Sequence, residues 1–257
     1  MPEKSEMPPE RKNIQDDFYP VAARIEPEKS VLAEIPPLQN GDHLSREEFE
    51  RRWENMPELE KAELIDGVVY LPSPIYHKDH GAPNFNLIAW LGYYRIHTPG
   101  VEGGASSSIR MDWKSMPQPD AFLYILPARG GQVKSDDGKY LEGSPEFNVE
   151  IAATSASHDL HAKKEAYRRN DVREYLVWRT LDGQVDWFFL KEGQYENLLP
   201  DMDGTLKSRI FPGLWLHTAA LLQGDMKLVI AVLEKGLATP EHQAFAERLA
   251  RCAAKKS

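Results

Sequence analysis

The segment FNVEIA, residues 147–152, constrains this chain more than any other. It is almost wholly apolar and free of turn formers, so it reads as a buried strand. Yet Glu150 stands in its middle. An unpaired carboxylate in a low-dielectric interior costs several kcal/mol or more. Whatever fold forms must therefore give Glu150 a cation, a proton or hydrogen-bond donors. Side chains alternate across a strand. Phe147, Val149 and Ile151 then share one face, and Asn148, Glu150 and Ala152 the other. Ala152 is small, which suggests open surface beside Glu150 for a ligand.

Asp120 raises the same question one strand earlier, between Pro119 and the core-like run AFLYIL. Pairing of the two strands would bring the start of one against the middle of the other. Two close carboxylates raise each other's pKa unless a cation lies between them. Oxygen ligands on adjacent strands suit Mg²⁺ or Mn²⁺. Lys163 is the third residue. It falls in the helix predicted over SHDLHAKKEAYRRND, four residues after Asp159, so the two share a helix face. A lysine near a metal-bound water could position it, or offset charge in a phosphorane-like transition state. Each residue also has an ordinary reading. Asp120 could cap a turn, Glu150 could pair with Arg168, Arg169 or Arg173, and Lys163 with Asp159 could be a solvated helix pair. Order and spacing together favour a site.

Around these segments, HLSREEFERRWENM has Ser45 as N-cap and Glu48 three residues on, the pattern of a capping box, with Leu44, Phe49 and Trp53 on one face. AELIDGVVYLPSP predicts a hairpin turning at Asp66-Gly67. PNFNLIAWLGYYRIHTPG predicts a helix with Phe85, Ile88, Leu91 and Tyr94 on its core face. ASSSIRMD is a further strand, and EYLVWRTLDGQVDWFFL a hairpin turning at Leu181-Asp182-Gly183. FPGLWLHTAALL and two more helices close the chain. The alternation of helices and strands predicts an α/β or α+β fold with a mixed sheet. Residues 1–40, rich in proline and charge, cannot offset their ordering entropy by burial and predict a disordered or extended tail.

The 257 residues carry a net charge of −9, which argues against a surface that grips nucleic acid everywhere but leaves room for a local basic cleft. Cys252 is the only cysteine, so no intrachain disulfide forms. The N-terminal stretch has no apolar core of a secretory signal, and FNLIAWLGYY is too short to span a bilayer. A cytoplasmic protein with no membrane partner is expected.

ELIDGV from Glu63, QPD at Gln118–Asp120, VEIAATSAS at Val149–Ser157 and DLHAKKEAYRRNDVREYLVW from Asp159 resemble, in that order, the Uma-type family of putative restriction endonucleases, within the PD-(D/E)XK nuclease superfamily. The resemblance spans roughly residues 44–217. It implies a restriction-endonuclease-like mixed β-sheet core flanked by helices, with added N-terminal strands and C-terminal helices. A nuclease-like domain would cover residues 41–222 and a helical extension 223–257. It implies a metal-dependent endonuclease acting on DNA, in which Asp120, Glu150 and the Ile151 carbonyl hold Mg²⁺ or Mn²⁺ and Lys163 orients or activates the attacking water. Glu63 would be an accessory carboxylate, and His77 and His80 could contact phosphate. Lys164, Arg168, Arg169 and Arg173 would supply charge for the DNA backbone, and a homodimer is allowed. The chain departs from the family in three places. Ala152 stands where the superfamily lysine usually lies, so the lysine comes from the following helix. Ala153-Thr154 replace Ser-Pro, in a stretch one residue short. Asp171 replaces a glycine.

Two other functions compete. A catalytically inactive nuclease-fold module that binds nucleic acid or protein is kept open by the net charge of −9, because a nuclease needs cationic groups for phosphates. A hydrolase using Ser155 or Ser157 with His158 lacks a G-x-S-x-G elbow.

Overall fold

The computed structural model describes residues 35–72, 76–136, 138–153 and 155–254. The expected tail lies outside the described residues as far as residue 34. Ser45 caps α1 (Arg46–Trp53), accepting the Glu48 N–H. The reciprocal half of a capping box does not form, because Arg51 and Arg52 hold the Glu48 carboxylate. β1 (Glu63–Ile65) and β2 (Val68–Tyr70) make the predicted hairpin. Asp66 and Gly67 both take positive φ, 53° and 81°, as a type I′ turn requires.

A π turn, His77–Gly81, runs into α2 (Ala82–Ile96). Its buried face is Leu87, Trp90, Leu91 and Tyr94, whereas Phe85 is 74% exposed and Ile88 37%. The Phe85–Ile88 stripe read from the sequence is therefore wrong in its first half. Both stripes have helical spacing. The one that wins inserts Trp90 edge-on against Phe147 and Trp187, with ring centroids 6.5 and 5.8 Å away, and aromatic burial of this kind dominates core energetics.

β3 (Val101–Gly104), β4 (Ile109–Arg110) and β5 (Ala121–Ile125) follow. Next come β6 (Ser135–Asp136), β7 (Leu141–Glu142) and β8 (Phe147–Ala152). The strand predicted in ASSSIRMD shrinks to the two residues of β4, which pairs with β7 in a small separate sheet. The strand beside β5 is β3, VEGG. Alternation is missing there because the backbones approach too closely for side chains. A Cβ on Gly103 would lie 2.6 Å from the Phe122 carbonyl oxygen, and one on Gly104 would meet the Phe122 ring.

α3 (Ala156–His158), a π turn (Asp159–Lys163) and α4 (Lys164–Arg169) form one helical segment. It leads to β9 (Glu174–Arg179), β10 (Gln184–Lys191) and β11 (Gln194–Asn197). The hairpin of β12 (Thr205–Lys207) and β13 (Trp215–His217) precedes α5 (Thr218–Leu222), α6 (Met226–Leu237) and α7 (Pro240–Ala254).

Six strands form one mixed sheet in the order β11-β10-β9-β8-β5-β3. β8 and β9 are parallel, and the other neighbours antiparallel. A parallel pair needs a crossover, and here the crossover is the helical segment that carries Asp159, Lys163 and Tyr167. Phe147, Val149 and Ile151 pack with α2 and with Leu221, Val229, Leu233, Phe245 and Leu249 of the last three helices. On the opposite face Ala152, Tyr175 and Val177 pack with Tyr167 and Val172. The fold is thus mixed α/β, a sheet flanked by helices. No helix among the described residues is long and apolar enough to cross a membrane.

Candidate active site

β5 and β8 pair with Ala121 opposite Val149. One step further along this register lie Asp120 and Glu150, 4% and 3% exposed. Asp120 Oδ2 accepts the Ile151 N–H at 2.8 Å and lies 3.2 Å from His80 Nε2. The Lys163 ammonium enters from the crossover, 3.0 Å from Glu63 Oε1, 3.1 Å from Glu150 Oε1 and 3.8 Å from Asp159 Oδ1. Glu63 Oε1 also accepts the Gln118 N–H, which ties the β1–β2 hairpin to the segment before Asp120. The Tyr167 hydroxyl donates to Glu150 Oε1 at 2.7 Å. Ala152 does not open the surface beside Glu150. It is fully buried, in the cluster that contains Tyr167.

Both π turns serve this site, one supplying His80 and the other Lys163. Such turns recur at functional sites, where they re-aim side chains. The shortened stretch after Glu150 does not carry Lys163 away from the acids.

Asp120, Glu150, Ile151, Lys163, Glu63 and His80 line one cleft of about 380 Å³, together with Asp159, His158 and Lys61. His77 is exposed and outside that lining. The structure does not bring the helix cations to the cleft. Lys164 Nζ stands 3.4 Å over the centre of the Phe188 ring. Arg168 is held by Glu165 and the Gly193 carbonyl, and Arg169 lies 3.2 Å from Asp66. Arg173 donates to Gln132 Oε1. Lys163 and Lys164 are about 100° apart around the helix axis, so one can face the sheet while its neighbour cannot. Lys61 was missed by sequence reasoning. It makes no ion pair among the described residues, and its loop carries no periodic signal. A serine–histidine nucleophile is not assembled either. Ser155 Oγ donates to Asp159 Oδ2, and His158 Nε2 has no hydrogen-bond partner among the described residues.

Four carboxylates here face the single ammonium of Lys163. Burial pushes Glu150 well above the usual carboxylate range; Lys163 opposes the shift, and Asp120, Asp159 and Glu63 add to it. Burial likewise raises Asp159, against Lys163 and the Ser155 hydroxyl. For Asp120 burial also acts upward, but the hydrogen bond and charge of His80, the charge of Lys163 and the Ile151 N–H outweigh it and hold the group below its ordinary value. Burial acts to lower the Lys163 amine. The surrounding carboxylates, Glu150 first, overcome it and keep the amine well above the usual lysine value.

Asp120 Oδ1 and Glu150 Oε2 take no hydrogen bond from the described residues. Unengaged carboxylate oxygens in a carboxylate-rich cluster fit a hard divalent cation. Among the described residues no group of three or more His, Cys, Asp or Glu side chains is placed to hold an ion alone. An ion here would draw on water and main-chain oxygen as well, as Mg²⁺ commonly does.

The family model described as "Uma2: Putative restriction endonuclease" matches residues 46–219, more than half of the chain. The chain belongs to the Uma2 family. The matched span holds Glu63, His80, Asp120, Glu150 and Lys163. This Uma2 chain is also similar to a solved structure, titled as a putative nuclease belonging to DUF820 from Anabaena variabilis ATCC 29413. The identity is 10% and the TM-score 0.49, over 71% of this chain and 97% of that one. No curated protein matches it.

Proposed function

We propose that this Uma2 protein is a divalent-metal-dependent endonuclease that hydrolyses DNA phosphodiester bonds. The observation that carries the proposal is the buried Lys163 ammonium, 3.1 Å from Glu150 in the cleft that Asp120 also lines. Family membership supports it independently. Asp120, Glu150 and the Ile151 carbonyl are the groups that would hold Mg²⁺ or Mn²⁺. When bound, such an ion polarises a phosphoryl oxygen and makes a water more acidic.

The remaining work falls to side chains. His80 and the Ile151 N–H fix the Asp120 carboxylate. Lys163, kept as an ammonium, has no lone pair with which to take a proton. It acts as a donor, orienting the water whose oxygen bonds to phosphorus or stabilising the charge that builds up as the bond to the sugar oxygen breaks. Glu63 positions that amine. Lys61 and His80 are the cleft groups that can meet phosphate oxygens. Every one of these residues comes from one chain, so a homodimer is not required to complete the site.

The reading is tested by cleavage of supercoiled plasmid and single-stranded DNA with Mg²⁺ and with Mn²⁺, using Asp120→Ala as control. Metal-dependent cutting that disappears in the variant is expected. A wild-type protein that cuts neither substrate with either ion overturns the proposal. A module that keeps the fold and binds without cutting would then take its place.

A further inference from the structure

We infer, on the strength of the nuclease reading, that the cleft accepts a single nucleic-acid strand with a base stacked on Tyr76, and not an intact duplex. Three independent observations point this way.

The first is depth. Asp120 and Glu150 are 4% and 3% exposed, so a scissile phosphate has to enter the cleft to reach them. The space available, about 380 Å³, is that of a small-ligand pocket, typically about 300–1,000 Å³. It suits one or a few nucleotides.

The second is the rim. Tyr76 and Leu181 both line the cleft, yet are 65% and 61% exposed. Tyr76 leads into the first π turn, and Leu181 sits in the β9–β10 turn. The Thr180 hydroxyl donates to the Asp79 carbonyl at 2.7 Å, so the two walls are fastened to each other just behind these side chains. An exposed aromatic ring at the mouth of a cleft is a platform on which any base can stack.

The third is charge. A duplex-binding protein gains its affinity by neutralising several phosphates. Here the helix cations are engaged elsewhere, and Arg179, two residues before Leu181, is held by Asp182, Asp186 and Gln184. Lys61 is the one lysine of the lining without an ion pair among the described residues. Backbone contacts this sparse leave stacking as the main source of affinity, which is how unpaired strands bind.

The test compares a short fluorescein-labelled DNA single strand with the same strand annealed to its complement. Anisotropy without divalent metal reads binding, and gel assays with Mg²⁺ or Mn²⁺ read cleavage. The single strand should bind at least about tenfold tighter. Tyr76→Ala should weaken it by on the order of tenfold, the effect of removing one stacking partner, while Tyr76→Phe keeps the ring and the affinity. Equal or tighter binding of the duplex overturns the inference, as does an undiminished affinity in Tyr76→Ala. Either result leaves the nuclease reading intact if wild type cuts the duplex. Binding that prefers the single strand and depends on Tyr76, without cleavage under any metal, upholds the docking surface and removes the nuclease reading.

Discussion

At Lys163 a single ammonium holds together carboxylates from β1, β8 and the crossover. Removing one partner of a buried ion pair leaves the other charge uncompensated and costs about 3–5 kcal/mol. Lys163→Met should lower the metal-free melting temperature sharply, and adding Glu150→Gln should recover part of the loss. No recovery in the double variant would mean that the lysine stabilises by packing alone. The same Lys163→Met protein should lose cleavage while its DNA affinity changes little, because an interaction realised in the transition state appears in rate and not in ground-state binding. Glu174 gives a separate handle on pH. Burial pushes its carboxyl up to about 7, although Ser208 Oγ and the Arg209 and Ile210 N–H groups donate to it. In the unfolded chain a glutamate titrates near about 4.3. The folded state therefore binds this proton more tightly, and stability contributed by Glu174 is full below the lower value and lost as pH rises through about 7. Glu174→Gln should flatten the decline in melting temperature between about pH 5 and 8. Parallel wild-type and variant curves would refute it.

At the scale of elements, the parts legible in the sequence were those whose signal is local. The β1–β2 and β9–β10 hairpins follow from Asp-Gly turns between apolar runs, β8 from its apolar residues and lack of turn formers, and the Lys163 helix from the run SHDLHAKKEAYRRND. The four-residue step from Asp159 to Lys163 marked the lysine as a candidate. β3 was not legible, because its glycines are selected by the Phe122 backbone and ring across the strand pair. The face of α2 was ambiguous, because Phe85 and Trp90 each lie on an acceptable stripe and only the sheet decides between them. Lys61 and Tyr76 come from irregular segments whose direction is set by tertiary contacts alone. The family's glycine position is instructive. Asp171 occupies it with φ 56°, a left-handed conformation that costs most non-glycine residues about 1–2 kcal/mol and aspartate less. Asp171→Gly should raise the denaturant midpoint by the equivalent of about 0.5–1 kcal/mol with an unchanged m-value. A lower midpoint would show that the aspartate side chain stabilises this turn.

For the whole molecule, the proposed metal site would make stability a function of bound cation. A ligand held only by the folded chain adds about 2.7 kcal/mol at a hundred times its dissociation constant, which in a domain of this size is several degrees of melting temperature. Mg²⁺ and Mn²⁺ should each produce such a rise, and Glu150→Gln should remove most of it. A wild type indifferent to millimolar concentrations of both ions would count against the metal site. Among the described residues the sheet has two open ends, since β3 pairs there only with β5 and β11 only with β10. Unpaired strand edges recruit strands from other chains and seed aggregation. Both edges here are four residues long. One is polar, QYEN. The other offers glycines in place of side chains and places Glu102 against Arg95 on the neighbouring helix. Short, polar or side-chain-poor borders give an incoming strand little to grip, so the fold that gathers its charges at the centre offers little template at its margins.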